Sequence, residues 1–130
     1  MTEYRIRAIM RTDIPTMSRE TPIRRAVAAL IDAKAAAALV LSEGGSLDGI
    51  LTQKDCFEPA LHASYHREWR GQVADFMSPD VITVDIDDEV IRVAEMFLKH
   101  PHRIFAVLDG SAAVGLVHRS DVLRLLTSFG

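Results

Sequence analysis

The second half of this chain repeats the first. Met10, Asp13 and Thr16 recur as Met77, Asp80 and Thr83, 67 residues further on. Ile23, Arg24, Ala26 and Leu30 recur as Ile91, Arg92, Ala94 and Leu98 at a spacing of 68. Val40 and Leu41 recur as Val107 and Leu108 at 67, and Gly49 and Asp55 as Gly115 and Asp121 at 66. The spacing changes by single residues only between these blocks. The blocks therefore read as elements and the gaps as loops, where insertions are tolerated. A unit of about 60 residues is marginal alone, because so small a domain buries too little of its surface. Two in tandem are expected to pack on each other and share a core. The division expected is 1–62 for the first repeat, 63–75 for a connection and 76–130 for the second.

Each repeat reads as short strand, helix, strand, strand, helix. Thr21-Pro22 opens a helix, with proline in the first turn where its missing N–H costs nothing. Ile23, Val27, Leu30 and Ile31 then form one apolar stripe at helical spacing. In the second repeat Asp87-Asp88-Glu89 puts negative charge at the helix start, which suits the dipole. Val90, Val93, Ala94, Phe97 and Leu98 form the matching stripe, and Pro101 ends it. The runs Ala38–Leu41 and Ile104–Leu108 are short and wholly apolar, as buried strands are. Gly-bearing turns separate them from second strands at Gly49–Thr52 and Gly115–His118, which predicts two hairpins. A further helix starts near Gln53 and near Arg119. The class is α/β (α+β), with helices covering one face of a small sheet.

Composition narrows the function. With 48% apolar and 25% charged residues, the 130-residue chain is ordinary globular material and not intrinsically disordered. A net charge of −3 without a basic block implies no nucleic-acid surface. The longest apolar run, Ala35–Leu41, is seven residues against the ~20 needed to span a bilayer, so no membrane span is expected. The N-terminus lacks the apolar core of a secretory signal, and the one cysteine, Cys56, cannot form an intrachain disulfide. Both point to the cytoplasm. Neither a Gly-x-Ser-x-Gly elbow nor a P-loop is present, so no enzyme is implied and no cofactor is required.

The doubled segments Gly49-Ile-Leu-Thr-Gln-Lys-Asp55 and Gly115-Leu-Val-His-Arg-Ser-Asp121 carry a family resemblance, as does the opening Phe76-Met-Ser-Pro-Asp-Val-Ile-Thr-Val84. With the order of elements, they resemble a tandem pair of CBS domains (a Bateman module), over residues 5 to 128. The resemblance implies a stand-alone regulatory module whose repeats pack with pseudo-twofold symmetry and leave two clefts. Such clefts bind adenosine compounds: AMP, ADP, ATP, S-adenosylmethionine or NAD. It also implies a homodimer and, because no effector domain lies in the chain, an unidentified partner protein regulated in trans.

Each motif sits where a strand turns into a helix, whose free N–H groups and dipole suit phosphate. A Thr52 hydroxyl can donate to phosphate, Asp55 can accept from both ribose hydroxyls, and Lys54 and Arg119 can add charge. Carried over from the resemblance, one cleft uses Thr52, Lys54 and Asp55 with Ile82, Thr83, His102, Arg103 and Ile104. Its twin uses His118, Arg119 and Asp121 with Ile14, Thr16, Ala36 and Ala37. The first is expected to be the better nucleotide site, because His118 stands where a hydroxyl is usual. A protonated His118 would still help hold phosphate.

Plainer roles compete. Thr52 and Asp55 can simply cap a helix, and His102 and Arg103 can be solvated loop residues. His62 and His66 have metal-ligand spacing but no further ligand pattern, so no metal is expected. Tyr65 and Trp69 read as packing anchors, and Cys56 as a small buried apolar residue. The alternative function is a dimerisation or docking scaffold whose clefts bind nothing.

Overall fold

A computed structural model describes residues 4–129. The first repeat contains β1 (Thr16–Met17), α1 (Ile23–Ala33), β2 (Ala37–Leu41), β3 (Leu47–Thr52) and α2 (Phe57–His66), the last preceded by a 3-10 turn at Lys54–Cys56. A short helix, α3 (Val73–Phe76), follows. The second repeat contains β4 (Thr83–Asp85), α4 (Val90–Lys99), β5 (Ile104–Asp109), β6 (Ala112–His118) and α5 (Arg119–Thr127). The predicted order of elements is thus present in both repeats. Residues 63–75 hold the end of α2, a loop and the start of α3. No helix among the described residues is long and apolar enough to cross a membrane.

Each repeat builds one three-stranded sheet, in the orders β1-β2-β3 and β4-β5-β6. The first pair in each is parallel and the second an antiparallel hairpin. Both hairpins slip register at the same place, after Val40 and after Val107. Four residues separate Leu108 from Ala113, its partner across the strands, against five between Leu41 and Leu47. The change in repeat spacing from 67 to 66 therefore lies in the hairpin turn.

The spacing of 68 in the helices does not survive. Ile23, Ala26 and Leu30 are buried on α1, and Val90, Val93 and Phe97, each 67 residues on, are buried or half-buried on α4, with Ala94 and Met96 half-buried beside them. Ile91 and Leu98, matched by identity to Ile23 and Leu30, are 42% and 88% exposed. The identical letters belong to different faces, one helical position apart. Ile31, expected in the core stripe, is likewise exposed. Pro22 caps α1 from outside rather than occupying its first turn. In α4, His100 ahead of Pro101 is extended, as the residue before a proline should be, and the helix stops there.

The compact units cut across the repeats. One runs from Ile14 to Val81; the other joins the residues up to Asp13 to those from Ile82 onward. In the latter, Ile6 is fully buried in a core with Val84, Val90, Val93, Phe105, Val107, Val117 and Val122. Arg11 pairs backbone to backbone with Leu116 on β6, at 2.7 and 3.0 Å. In the Ile14–Val81 unit, Ser78 pairs in the same way with Ile50 on β3, at 2.9 and 3.1 Å. Its core gathers Ile23, Ala26, Leu30, Ala38, Val40, Leu51, Cys56 and Val73. The alternate strand residues Leu39, Ile50, Ala106 and Leu116 are buried too, which is why these strands read as unbroken apolar runs.

Trp69 packs half-buried against the Ile14–Val81 core, but Tyr65 is 80% exposed and anchors nothing there. It sits on the side of α2 opposite Pro59 and Ala63, in line with Phe57 and Leu61. Cys56 is buried as expected, and burial, with Asp55 adding to it, pushes its thiol above the usual 9.0. Such a thiol is inert rather than nucleophilic.

Candidate functional site

The first strand-to-helix turn begins at the end of β3. Thr52 N–H donates to Asp55 Oδ2 at 2.9 Å, and Asp55 N–H donates to Thr52 Oγ1 at 3.2 Å. This is the reciprocal arrangement of a capping box, two donors satisfied by two side chains three residues apart. The cap and a ligand role are compatible. The Thr52 hydroxyl accepts but keeps its proton, and Asp55 Oδ1 has no protein partner among the described residues. Lys54 is exposed beside them. Ala37 pairs with Thr52 across the hairpin, the Ala36 carbonyl accepts from Gln53 N–H at 3.0 Å, and Thr16 starts the parallel neighbour β1, two residues after Ile14.

The second turn is built alike and dressed differently. Ile104 pairs with His118, the Arg103 carbonyl accepts from Arg119 N–H at 2.9 Å, and the Ile82 carbonyl accepts from Ala106 N–H. Thr83 starts β4, His102 is half-buried ahead of β5, and Arg103 and Arg119 are exposed. Within each unit, the neighbours of a motif are thus the strand residues of its own repeat. Asp121 does not cap its own helix as Asp55 does. It holds Arg11 in a bidentate pair, Nε to Oδ2 at 2.7 Å and Nη2 to Oδ1 at 3.0 Å, with Arg124 at 3.7 Å.

The electrostatics follow from that arginine. Hydrogen bonding from Arg11 holds the Asp121 carboxyl below its ordinary 3.8, against the opposing pull of burial. Charge from Arg11, His118 and Arg124 adds in the same direction. Burial first, then the Arg11 charge, lowers the His118 imidazole below 6.5, and Asp121 offsets this only in part. The charged form of His118 is therefore disfavoured in this setting.

A pH dependence follows. A carboxyl that titrates lower in the folded chain than in the unfolded one stabilises the fold fully above its unfolded value. That contribution is lost as pH falls through the folded value. Asp121→Asn should lower the unfolding midpoint at neutral pH, and the gap to wild type should close as pH drops from about 4 toward 2. An unchanged gap down to the acid end would mean the pair contributes no linkage.

Arg11 was not among the residues singled out from the sequence. A signal was there: at the 67-residue spacing it stands where the other repeat has Ser78, a charge against a hydroxyl. His62 and His66 lie ring to ring, 4.5 Å between centroids, and no third side chain of metal-binding type joins them among the described residues.

Known proteins resemble this arrangement. The family model for the CBS domain matches residues 6–60 and again 73–128. No curated protein sequence matches the chain. Among solved structures, the CBS domain pair of protein MJ0100, in complex with 5'-methylthioadenosine and S-adenosyl-L-methionine, is similar at a TM-score of 0.80 and 24% identity. That match covers 99% of this chain and 100% of the other. CBSX2, of which the Arabidopsis thaliana protein is one solved form, is similar in its complex with AMP, at a TM-score of 0.79 and 20% identity over 97% of this chain and 98% of that one. The cytosolic domain of the Mg2+ channel MgtE, in complex with ATP, is similar at 0.75 and 23% identity over 90% of this chain and 46% of that one. At these identities the likeness is one of fold.

Proposed function

The chain belongs to the CBS domain family, and from that premise we propose that it is a regulatory module binding an adenosine-containing ligand at the Thr52–Asp55 turn. The observation that carries this reading is the uncommitted Oδ1 of Asp55 beside a hydroxyl that still has its proton to give. A carboxylate accepts from a vicinal diol, a hydroxyl and a helix N-terminus donate to phosphate, and Lys54 adds charge. The relatives solved with AMP, ATP or S-adenosyl-L-methionine support the class of ligand.

Regulation follows if the ligand binds one packing of the chain or its assembly better than another, since a ligand without such a preference shifts nothing. The output is to a partner protein in trans, and the working form is a homodimer. Phe57, Leu61 and Tyr65 support assembly: all are more than half exposed, on one line along α2, beside an apolar groove of about 200 Å³ that Val27, Ile31 and Phe57 line. The same stripe favours the second reading, a docking scaffold that binds no nucleotide.

Thermal unfolding with AMP, ADP, ATP, S-adenosylmethionine and NAD separates the two. A ligand at 100 times its dissociation constant adds about 2.7 kcal/mol, a shift of several degrees for a chain this size. Asp55→Asn is the informative variant. Its amide oxygen still accepts from Thr52 N–H, so the cap is kept, while its amide nitrogen meets the diol with a donor. The ligand shift should fall by at least half with little change in the unliganded midpoint. A shift that survives in Asp55→Asn moves the site elsewhere, and no shift with any compound in wild type selects the scaffold.

A further inference from the structure

We propose that Arg11 closes a second nucleotide site by occupying the carboxylate of Asp121 that would otherwise accept a ribose, so that the chain takes one nucleotide, at Thr52–Asp55, and not two. The inference rests on the reading of Asp55 given above and extends it to the matching position of the other repeat.

The geometry is that of a diol already bound. A ribose offers two adjacent hydroxyls, and a carboxylate receives them one to each oxygen. Arg11 offers two adjacent N–H groups and delivers them in the same way, Nε to Oδ2 and Nη2 to Oδ1. These bonds carry a full charge on each side, whereas a diol would meet the same carboxylate with uncharged donors, and the planar arginine fork adds geometric fit to the energy. The Asp121 side chain is only 13% exposed, so solvent screens the pair less than it would at the open surface. Arg124 bears on Oδ1 as well. A neutral diol would have to displace a cation to gain weaker bonds.

Arg11 is also held in place. Its backbone pairs with Leu116 in both directions, and its carbonyl oxygen passes so close to Gly115 that a Cβ there would lie 2.7 Å away. The guanidinium therefore starts from a fixed backbone and need not be recruited from solution. At the corresponding point of the other unit the backbone pairing is the same, Ser78 with Ile50. There the side chain is a serine, and Asp55 keeps one oxygen open. The two turns differ at this point by one side chain, too short to reach in one case and long enough in the other.

The substitution that tests this is Arg11→Ser, which gives this position the residue that the other repeat carries there, Ser78. The measurement is AMP stoichiometry and affinity by calorimetry on wild type, Asp55→Asn, Arg11→Ser and the double variant, with circular dichroism to establish that each folds. Arg11→Met, which keeps an aliphatic stem and offers no donor, serves if the serine variant does not fold. The expected counts are one, none, two and one per chain, the new site at least tenfold tighter than any residual binding to Asp55→Asn. An Arg11 variant that binds no more than its parent, or wild type already binding two, overturns the inference and leaves the Asp55 reading standing. Wild type binding none while Arg11→Ser binds one upholds the role of Arg11 and overturns the Asp55 reading. No binding by any of the four overturns both.

Discussion

Phe105→Ala should cost about 3–5 kcal/mol, among the largest losses that a single truncation in this chain can give. Phe105 is fully buried on the middle strand β5, and it is the largest of the fully buried side chains. Its ring lies parallel to that of Phe97 from α4, 3.9 Å between centroids and 7° between planes. Truncation removes the ring and leaves a void where strand and helix meet. Val84, Val93, Val107 and Val117 in the same core are β-branched and stiff, with little freedom to collapse into it. Thermal unfolding should show a fall on the order of 10 °C or more. Leu98→Ala is the comparison, because that side chain is 88% exposed and its loss should fall within about 0.5 kcal/mol. Equal effects from the two variants would mean that this core is not where the stability lies.

The repeat was legible because duplication keeps the residues that fold: the Val-Leu pair of the middle strand, the glycine and aspartate that bracket the last turn. Helix faces were less so. Matching Ile23 to Ile91 and Leu30 to Leu98 follows identity, whereas burial pairs Ile23 with Val90 and Leu30 with Phe97. An apolar face accepts Val, Ile, Leu or Phe nearly alike, so letters drift along it while the period stays. The exchange of openings was not legible at all. It rests on backbone pairing of Arg11 with Leu116, 105 positions away, and of Ser78 with Ile50, and backbone hydrogen bonds carry no letter of their own.

The candidate turns show the same limit from the other side. Thr52 and Asp55 could be read either as a cap or as ligand contacts, and the cap is made. Its making leaves one carboxylate oxygen over, which spacing alone could not reveal. Asp121 looked equivalent to Asp55 by position and differs because of a residue 110 positions away. Identities between repeats mark what both need. Arg11 against Ser78, a difference between repeats, marks where their chemistry parts.

Gly49→Ala and Gly115→Ala should each cost ~1–3 kcal/mol, although each adds one methyl group. Both glycines are buried in a strand, and neither needs an unusual φ. What forbids a side chain is the crossing segment. A Cβ at Gly49 would lie 2.7 Å from the carbonyl oxygen of Ser78, and one at Gly115 would lie 2.7 Å from that of Arg11. The neighbour is backbone and cannot rotate away. To give room it must slip its two hydrogen bonds to the strand, each worth about 0.5–1.5 kcal/mol net. Gly44→Ala is the control, since nothing lies within 4 Å of a Cβ there and the loss should stay within about 0.5 kcal/mol. The two buried variants should part company in one respect. Gly115→Ala pushes on the backbone of Arg11 and should free Asp121, raising its carboxyl toward its ordinary 3.8 in a titration followed by NMR. Gly49→Ala pushes on Ser78, which holds no carboxylate, and should leave Asp121 where it is. If Gly115→Ala is as benign as Gly44→Ala, the opening of the chain is not clamped to β6, and the grip of Arg11 on Asp121 loses its footing.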